Sequence, residues 1–168
     1  ASFLETARSG VAAPEQGPVD AMAVMIAAAL REGFRGPVFI EGDHFQMNAK
    51  KFAVDPVSEV SAVKQLALEA IHSGFFNIDI DTSTLVDLSH PTLNAQQRLN
   101  FETAVEITRY VRSLEQASVT ISLGGEIGEV GTANSTVQER EAYVDGYNVP
   151  LPKGTPGRPG TSTVALKT

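Results

Sequence analysis

The chain has 168 residues, with 42% hydrophobic and 20% charged residues, which is ordinary for one globular domain. Its formal net charge is −7, and a chain without a basic stripe is a poor partner for nucleic acid or for an anionic membrane surface. Because there is no cysteine, disulfides and thiolate zinc sites are excluded, and only His, Asp or Glu side chains can hold a metal ion.

Two further features of the chain bear on its location. The most apolar run, residues 21–30, is too short to span a bilayer. Residues 1–16 lack the basic start and the apolar centre of a secretion signal. We therefore expect a cytoplasmic protein that binds no membrane.

Hydrophobic periodicity and capping residues predict helices that alternate with strands. The clearest helix begins at Asp55 and Pro56, because Asp is a favoured N-cap and Pro suits the first helical position. In chain order the predicted elements are a loop or frayed N-terminus over 1–17, a helix from Pro18 to Gly33, a strand over 38–41, a loop over 45–54, a helix from Asp55 to Gly74, a strand over 77–81, a helix over 94–114, a strand over 119–123, a short helix or loop over 135–144, a Pro/Gly-rich connection over 150–160 and a strand over 162–166.

Alternating strands and helices favour parallel βαβ units. Three predicted strands end in acidic residues, Asp43, Asp81 and Glu126, which are 38 and 45 residues apart. Eight such units would need about 330 residues, so we expect an α/β fold in which about half of a (β/α)8 TIM barrel forms a single partial domain over residues 1–168. Open edge strands near Val38 and Val164 would favour a homo-oligomer or a partner subunit.

The strand over 38–41 runs directly into Gly42, Asp43 and His44. Neighbouring residues of a regular strand point to opposite faces, so Asp43 and His44 can share a site only if the strand breaks, and Gly42 allows a break. The C-terminal ends of barrel strands are where α/β barrels carry their chemistry. The alternative is that His44 caps a backbone carbonyl while Asp43 bonds to the next loop.

Asp79 and Asp81 share one face of the next strand, because they alternate with Ile78 and Ile80. Acids that face a barrel interior are costly unless they are paired or bound to metal. Asp81 is the better ligand candidate, since it lies nearer the end of the strand. The alternative is that Asp79 faces partners across the barrel base and Asp81 caps the following turn with Ser83.

Glu126 lies in a glycine-rich segment that follows the strand over 119–123. Glycines on both sides of Glu126 allow the backbone to approach a ligand closely. The alternative is an ordinary glycine-rich turn with a solvated acid.

Together, Gly42-Asp43-His44, Ile80-Asp81-Thr82-Ser83 and Gly125-Glu126-Ile127-Gly128 resemble three successive strand-end motifs of the class II, metal-dependent ketose-bisphosphate aldolases. The resemblance covers about residues 18–168. It implies that His44 is a zinc ligand and that Asp43 is the general acid/base that handles the hydroxyl proton of the bond being made or broken. It also implies that Asp81 and Glu126 are acids behind the metal that can ligate it in an alternative position. Either Glu139 or Glu141 would supply a catalytic base on the loop that follows.

The function implied by the resemblance is that of a lyase for a small phosphorylated sugar. It cleaves a phosphorylated ketose reversibly into dihydroxyacetone phosphate and an aldehyde, with Zn²⁺ as the Lewis acid that polarises the ketose carbonyl. The family places two more zinc histidines on later strands, whereas this chain has three histidines in all. We therefore expect an N-terminal portion of an aldolase that is inactive alone.

Two alternatives to the lyase come from other classes of protein. Gly42-Asp43-His44 followed by Asn48 also resembles the non-catalytic subunit of tagatose-bisphosphate aldolase. That resemblance implies a barrel subunit that stabilises a partner aldolase. The other alternative is a small α/β binding protein whose acids are merely structural.

Overall fold

A computed structural model describes residues 2–11, 17–128 and 134–148 of the chain. Strands and helices alternate along these residues and form an α/β fold. The strands are β1 (Ser2–Ala7), β2 (Val38–Asp43), β3 (Asn77–Ile80) and β4 (Ser122–Gly125); the helices are α1 (Arg8–Val11), α2 (Pro18–Arg31), α3 (Ala49–Val54), α4 (Pro56–His72), α5 (Leu93–Leu114) and α6 (Val137–Asn148), with a 3₁₀ turn over Ser83–Leu85.

The four strands form one parallel sheet in the order β1-β2-β3-β4. β1 pairs with β2 from Ser2–Val38 to Ala7–Asp43, and β4 pairs with β3 up to Ile80–Gly125. Parallel strands in sequence order bring their C-terminal ends to the same edge of the sheet. The arrangement is compatible with a partial βα repeat, and the predicted alternation of strands and helices is confirmed at this level.

Three expectations for the N-terminal half are wrong. The sequence predicts loop or frayed chain over residues 1–17, but Ser2–Ala7 form β1, because the backbone of β2 offers this segment a full parallel ladder. For the same reason β2 is not an edge strand at Val38, since β1 covers it. The loop predicted over 45–54 also contains a short helix, α3, whose N-cap Asn48 accepts a hydrogen bond from the Lys51 N–H.

Helix α4 follows its sequence signals closely. Asp55 caps it by accepting a hydrogen bond from the Ser58 N–H at 3.0 Å, and Pro56 occupies the first turn. The predicted apolar stripe is buried against the sheet and α5: Val60, Val63, Leu66, Ala67, Ala70 and Ile71.

Helix α5 buries most of its predicted apolar face, at Ala104, Ile107 and Val111, but not Leu99. The pattern predicts Leu99 on the apolar face, but Leu99 is 42% exposed. Its neighbours Gln97 and Asn100 are buried instead, together with Phe101 and Ala104. The reason is that the chain just after β4 offers buried carbonyl groups to this helix, and the amides of Gln97 and Asn100 donate hydrogen bonds to them.

The two faces of the sheet differ sharply in chemistry. Ile40, Ile78, Ile80 and Leu123 join the hydrophobic core formed with the helices. Because side chains alternate along a strand, the residues between them, including Asp79, point to the opposite face. The sheet therefore separates an apolar, helix-covered face from a face that carries carboxylates toward the ends of the strands.

The predicted Pro/Gly-rich connection over 150–160 and the strand over 162–166 lie outside the described residues. The segment over 135–144, for which the sequence allows either a helix or a loop, contributes to α6. Among the helices in the described parts of the chain, none combines the length and the apolar character that crossing a membrane requires.

Candidate functional site

His44 turns the chain sharply at the end of β2. Its φ is +46°, a left-handed conformation that is uncommon for residues other than glycine and often marks a functional position. The strand therefore breaks, as it must if Asp43 and His44 are to share a site. It breaks at His44 and not at Gly42, which stays paired with both neighbouring strands. Gly42 serves another purpose, since a Cβ there would lie 2.4 Å from the Phe45 ring.

The backbone after His44 is tied to the end of β3. The Phe45 N–H donates to the Asp79 carbonyl at 3.0 Å, and the Met47 N–H donates to the Asp81 carbonyl at 2.9 Å. Phe45 and Met47 are both fully buried. These anchors hold His44 in its unusual conformation over the strand ends.

The imidazole of His44 lies between acids from three strands. Its Nδ1 is 3.4 Å from Asp43 Oδ2, and its Nε2 is 2.9 Å from Glu126 Oε1. Two groups of side chains each place their nearest ligand atoms within 4.8 Å of one another: Asp43, His44 and Asp79, which we call the Asp79 trio, and His44, Asp81 and Glu126, which we call the Glu126 trio. The structure thus brings together Asp43, His44, Asp81 and Glu126, the residues that the sequence singles out.

Exposure differs across this cluster. The side chains of His44 and Asp43 are 41% and 33% exposed, whereas Glu126 is 2% exposed. Asp81 is fully buried. The cluster therefore has an open side, formed by Asp43 and His44, and a buried side, formed by Asp81 and Glu126.

Asp81 is held in place by hydrogen bonds to both carboxylate oxygens. Oδ1 accepts from the Ser83 backbone N–H at 3.1 Å and from the Ser83 hydroxyl at 2.6 Å, while Oδ2 accepts from Gln46 Nε2 at 2.6 Å. The turn-capping alternative for Asp81 is thus observed, and it coexists with the position of Asp81 in the Glu126 trio.

Asp79 is a further buried acid of this cluster. Its side chain is 5% exposed, and among the described residues its Oδ2 has no hydrogen-bond partner. Burial, followed by the neighbouring charges of Glu126, Asp81 and Asp43, raises the pKa of Asp79 from 3.8 to about 8. Asp79 therefore holds a proton near neutral pH unless a cation replaces that proton.

A buried polar network supports the Glu126 backbone. Asn100 Nδ2 donates to the Glu126 carbonyl at 2.8 Å and to Gln97 Oε1 at 2.9 Å, while Gln97 Nε2 donates to the Ile127 carbonyl at 2.7 Å. Thr82 donates its hydroxyl to Asn100 Oδ1 at 2.5 Å. The sequence analysis did not single out Gln97 and Asn100. A signal was available, because helical spacing puts these two amides on the same face of the helix as Phe101 and Ala104.

A cavity of about 550 Å³ opens beside His44 at the ends of β1 and β2. Two cationic side chains, Arg8 and Lys51, line it together with Ser9, and the cavity also reaches Gln46, Met47 and Asn48. A cationic lining next to an acidic cluster suits a ligand that carries an anionic group at one end.

Arg8 is oriented by Glu59 on α4. Arg8 Nη1 lies 2.6 Å from Glu59 Oε1, which also accepts from the Asn48 N–H at 2.8 Å, and Arg8 donates to the Gln46 carbonyl. Burial opposes ionisation of Glu59, but the hydrogen bonds from Arg8 and Asn48 and the charge of Arg8 outweigh it and lower the pKa of Glu59. No local sequence pattern indicates this ion pair, because the two partners are 51 positions apart.

The two candidates for a loop base lie on α6. Glu139 closes a capping box: its Oε2 accepts from the Thr136 N–H and hydroxyl, at 2.5 and 2.8 Å, and its own N–H donates to Thr136 Oγ1. Glu141 is exposed on the same helix. The described structure therefore gives Glu139 a helix-capping role, and the assignment of a loop base stays a prediction.

The donor set of the cluster fits a divalent cation. Each trio combines one imidazole nitrogen with two carboxylates, which are ligands that Zn²⁺ and Mn²⁺ accept. In the Asp79 trio, Oδ2 of Asp79 is buried and has no hydrogen-bond partner among the described residues. Comparison with known proteins adds no assignment: no protein-family model matches the chain, and a search of curated proteins finds no significant match.

Proposed function

We propose that the chain is a class II aldolase-like lyase portion that acts on a phosphorylated ketose. The observation that carries the proposal is the convergence of Asp43, His44, Asp81 and Glu126 at the ends of three parallel strands, with Asp43 and His44 on the open side. The enclosing (β/α)8 barrel, of which the four-stranded sheet would be about half, is part of the same proposal.

The open and buried sides of the cluster give its residues different roles. His44, Asp81 and Glu126 would hold Zn²⁺, which when bound supplies a Lewis acid for the ketose carbonyl. Asp43 lies on the open side, where its carboxylate can reach a substrate hydroxyl and accept or return the proton of the bond being cleaved. Gln46 and Ser83 keep the Asp81 carboxylate in one orientation, as the partners of metal ligands commonly do.

The cavity beside His44 supports a phosphorylated substrate. Lys51 and Arg8 line that cavity, and a phosphate is recognised by such donors. Arg8 also forms an ion pair with Glu59. Lys51 is therefore the positively charged side chain that can be replaced without breaking a buried ion pair.

Zinc binding is the first test of the proposal. In competition with a chromogenic chelator, His44→Ala should weaken zinc binding by about tenfold or more, because a direct ligand is lost. His90→Ala is the matched control, since His90 lies in a loop beside Asp87 and outside both trios. Equal zinc affinity of the two variants would contradict the proposed site.

Binding of sugar phosphate is the second test. Calorimetry should show that fructose bisphosphate or tagatose bisphosphate binds to the zinc-loaded chain, and that Lys51→Gln weakens this binding by about tenfold, as expected for one charged contact to phosphate. Lys50→Gln is the control, because Lys50 does not line the cavity beside His44. Zinc binding without sugar-phosphate binding would contradict the lyase and favour a non-catalytic subunit that associates with a partner aldolase.

Cleavage itself is followed by the release of dihydroxyacetone phosphate. We expect no measurable release from these 168 residues, because one imidazole contributes to the described cluster where the family uses three. Robust zinc-dependent cleavage would overturn the expectation of inactivity while supporting the lyase class.

A further inference from the structure

We propose that the Asp79 trio is a second divalent-cation position beside the Glu126 trio. The ligand atoms of Asp43, His44 and Asp79 lie within 4.8 Å of one another. A cation with bonds of about 2.0 to 2.5 Å to its ligands spans such a group. The inference does not rest on the proposed lyase activity, because it concerns cation binding alone.

The burial of Asp79 is an independent reason to expect a ligand there. A carboxylate oxygen that is buried without a hydrogen-bond partner carries a large desolvation cost. Asp79 Oδ2 is in that situation among the described residues, and Asp79 is 5% exposed. Its other oxygen lies over Gly124, where a Cβ would be only 2.6 Å from Oδ1. Because Gly124 on β4 has no side chain, the sheet leaves space there for the Asp79 carboxylate.

Charge also favours two cations over one. The two trios together bring four carboxyl groups to a single imidazole. When all four are ionised, their charge of −4 is halved by one divalent cation and balanced by two. Like charges at such short distances repel strongly in a buried site. One divalent cation leaves part of this repulsion between the carboxylates uncompensated, and a second cation removes it.

The chemistry of His44 defines what kind of cation takes the second position. A neutral imidazole offers one lone pair, so His44 bonds to one cation at a time. When that lone pair serves the Glu126 trio, the second position depends on the carboxylates of Asp43 and Asp79. Carboxylate-dominated positions suit Mn²⁺ or Mg²⁺, which makes Mn²⁺ the appropriate probe.

Counting bound Mn²⁺ tests the proposal. The 168-residue chain is stripped with a chelator and titrated, and free Mn²⁺ is measured by electron paramagnetic resonance. We expect the unmodified protein to bind two Mn²⁺ per chain. Asp79→Asn should bind one Mn²⁺, because its affinity for the second ion should be at least tenfold weaker than that of the unmodified protein. Asp81→Asn, which alters the other trio, should also bind one. Glu41→Gln removes an acid that neighbours Asp79 and belongs to neither trio, and it should bind two.

The decisive contrary results are one Mn²⁺ bound by the unmodified chain, or two Mn²⁺ retained by Asp79→Asn. Circular dichroism checks that each variant is folded. If Asp79→Asn does not fold, Asp43→Asn takes its place, because it removes a ligand of the same trio that is one-third exposed; two Mn²⁺ bound by that variant overturn the proposal. Failure of sugar-phosphate binding, in contrast, would leave the Mn²⁺ count unchanged and would contradict the lyase alone.

Discussion

Replacing Asp79 with Asn should make the protein's stability less sensitive to pH. In the folded, metal-free chain the pKa of Asp79 is about 8, against 3.8 for the same group in water. Between these values the folded state holds a proton that the unfolded state has released. The free energy of unfolding therefore falls as the pH rises, at about 1.4 kcal/mol per pH unit for one group. Asn cannot ionise, so the free energy of unfolding of the variant does not fall with pH for this reason.

The size of the effect follows from the pKa of Asp79. Raising it from 3.8 to about 8 corresponds to about 6 kcal/mol once the pH exceeds both values. Between pH 5 and pH 7 the expected loss in the unmodified chain is about 2.5 kcal/mol. By pH 5 the unmodified chain has already lost about 1.7 kcal/mol of the total of about 6 kcal/mol, because its unfolded state ionises above pH 3.8. The two proteins should have similar stability only at about pH 3 and below, where an amide replaces a protonated carboxyl of the same shape.

Urea unfolding in the presence of a chelator measures this difference. The stability of Asp79→Asn relative to the unmodified chain should increase by about 2.5 kcal/mol from pH 5 to pH 7. Glu41→Gln is the control for removing a nearby acid: burial and the charges of Glu5 and Asp43 raise the pKa of Glu41, but it is an intermediate, not a buried, side chain. A stability difference that is constant with pH, or one that shrinks as the pH rises, would refute the reasoning.

Three further substitutions test the contacts around the site. Glu59→Gln should lower the free energy of unfolding by about 2 kcal/mol at pH 7, because a buried acceptor loses its charge. Since the folded-state pKa of Glu59 is depressed below 4.5, this difference should disappear as the pH falls through that pKa, and a difference unchanged at pH 3 in urea unfolding would contradict it. Gly42→Ala should destabilise by about 1 to 3 kcal/mol in thermal unfolding, because the new Cβ would lie 2.4 Å from the Phe45 ring; an unchanged melting temperature would refute this clash. Asn100→Ala should weaken zinc binding by about tenfold, because the Glu126 carbonyl loses its donor, and zinc affinity equal to that of the unmodified chain would show that the network does not support the site.

The strand-end site could be predicted because its geometry follows from topology. Parallel strands that alternate with helices place their C-terminal residues at one edge, so the alternation alone is enough to expect Asp43, Asp81 and Glu126 together. Local signals were sufficient for α4 as well, where Asp55 and Pro56 determine the start of the helix. Both successes depend on patterns contained within a few residues or repeated along the chain.

The misses have a common physical origin in tertiary contacts. Ser2–Ala7 have a mixed composition and become a strand because β2 offers them a parallel partner. In α5 the apolar residue Leu99 is exposed while Asn100 is buried, because the neighbouring end of β4 needs an amide donor. The ion pair of Arg8 with Glu59 joins positions far apart in sequence. No local pattern contains these partners, so the sequence could not specify them.

His44 shows how the local and global requirements of the site conflict. Its left-handed backbone is unfavourable for a residue with a Cβ, and a regular strand would send its ring away from Asp43. The hydrogen bonds of Phe45 and Met47 to the carbonyls at the end of β3, with both side chains buried, offset this cost. The turn places one imidazole against acids from three strands. Such a conflict between a local backbone preference and the packing around it is of the kind found at functional or strained positions.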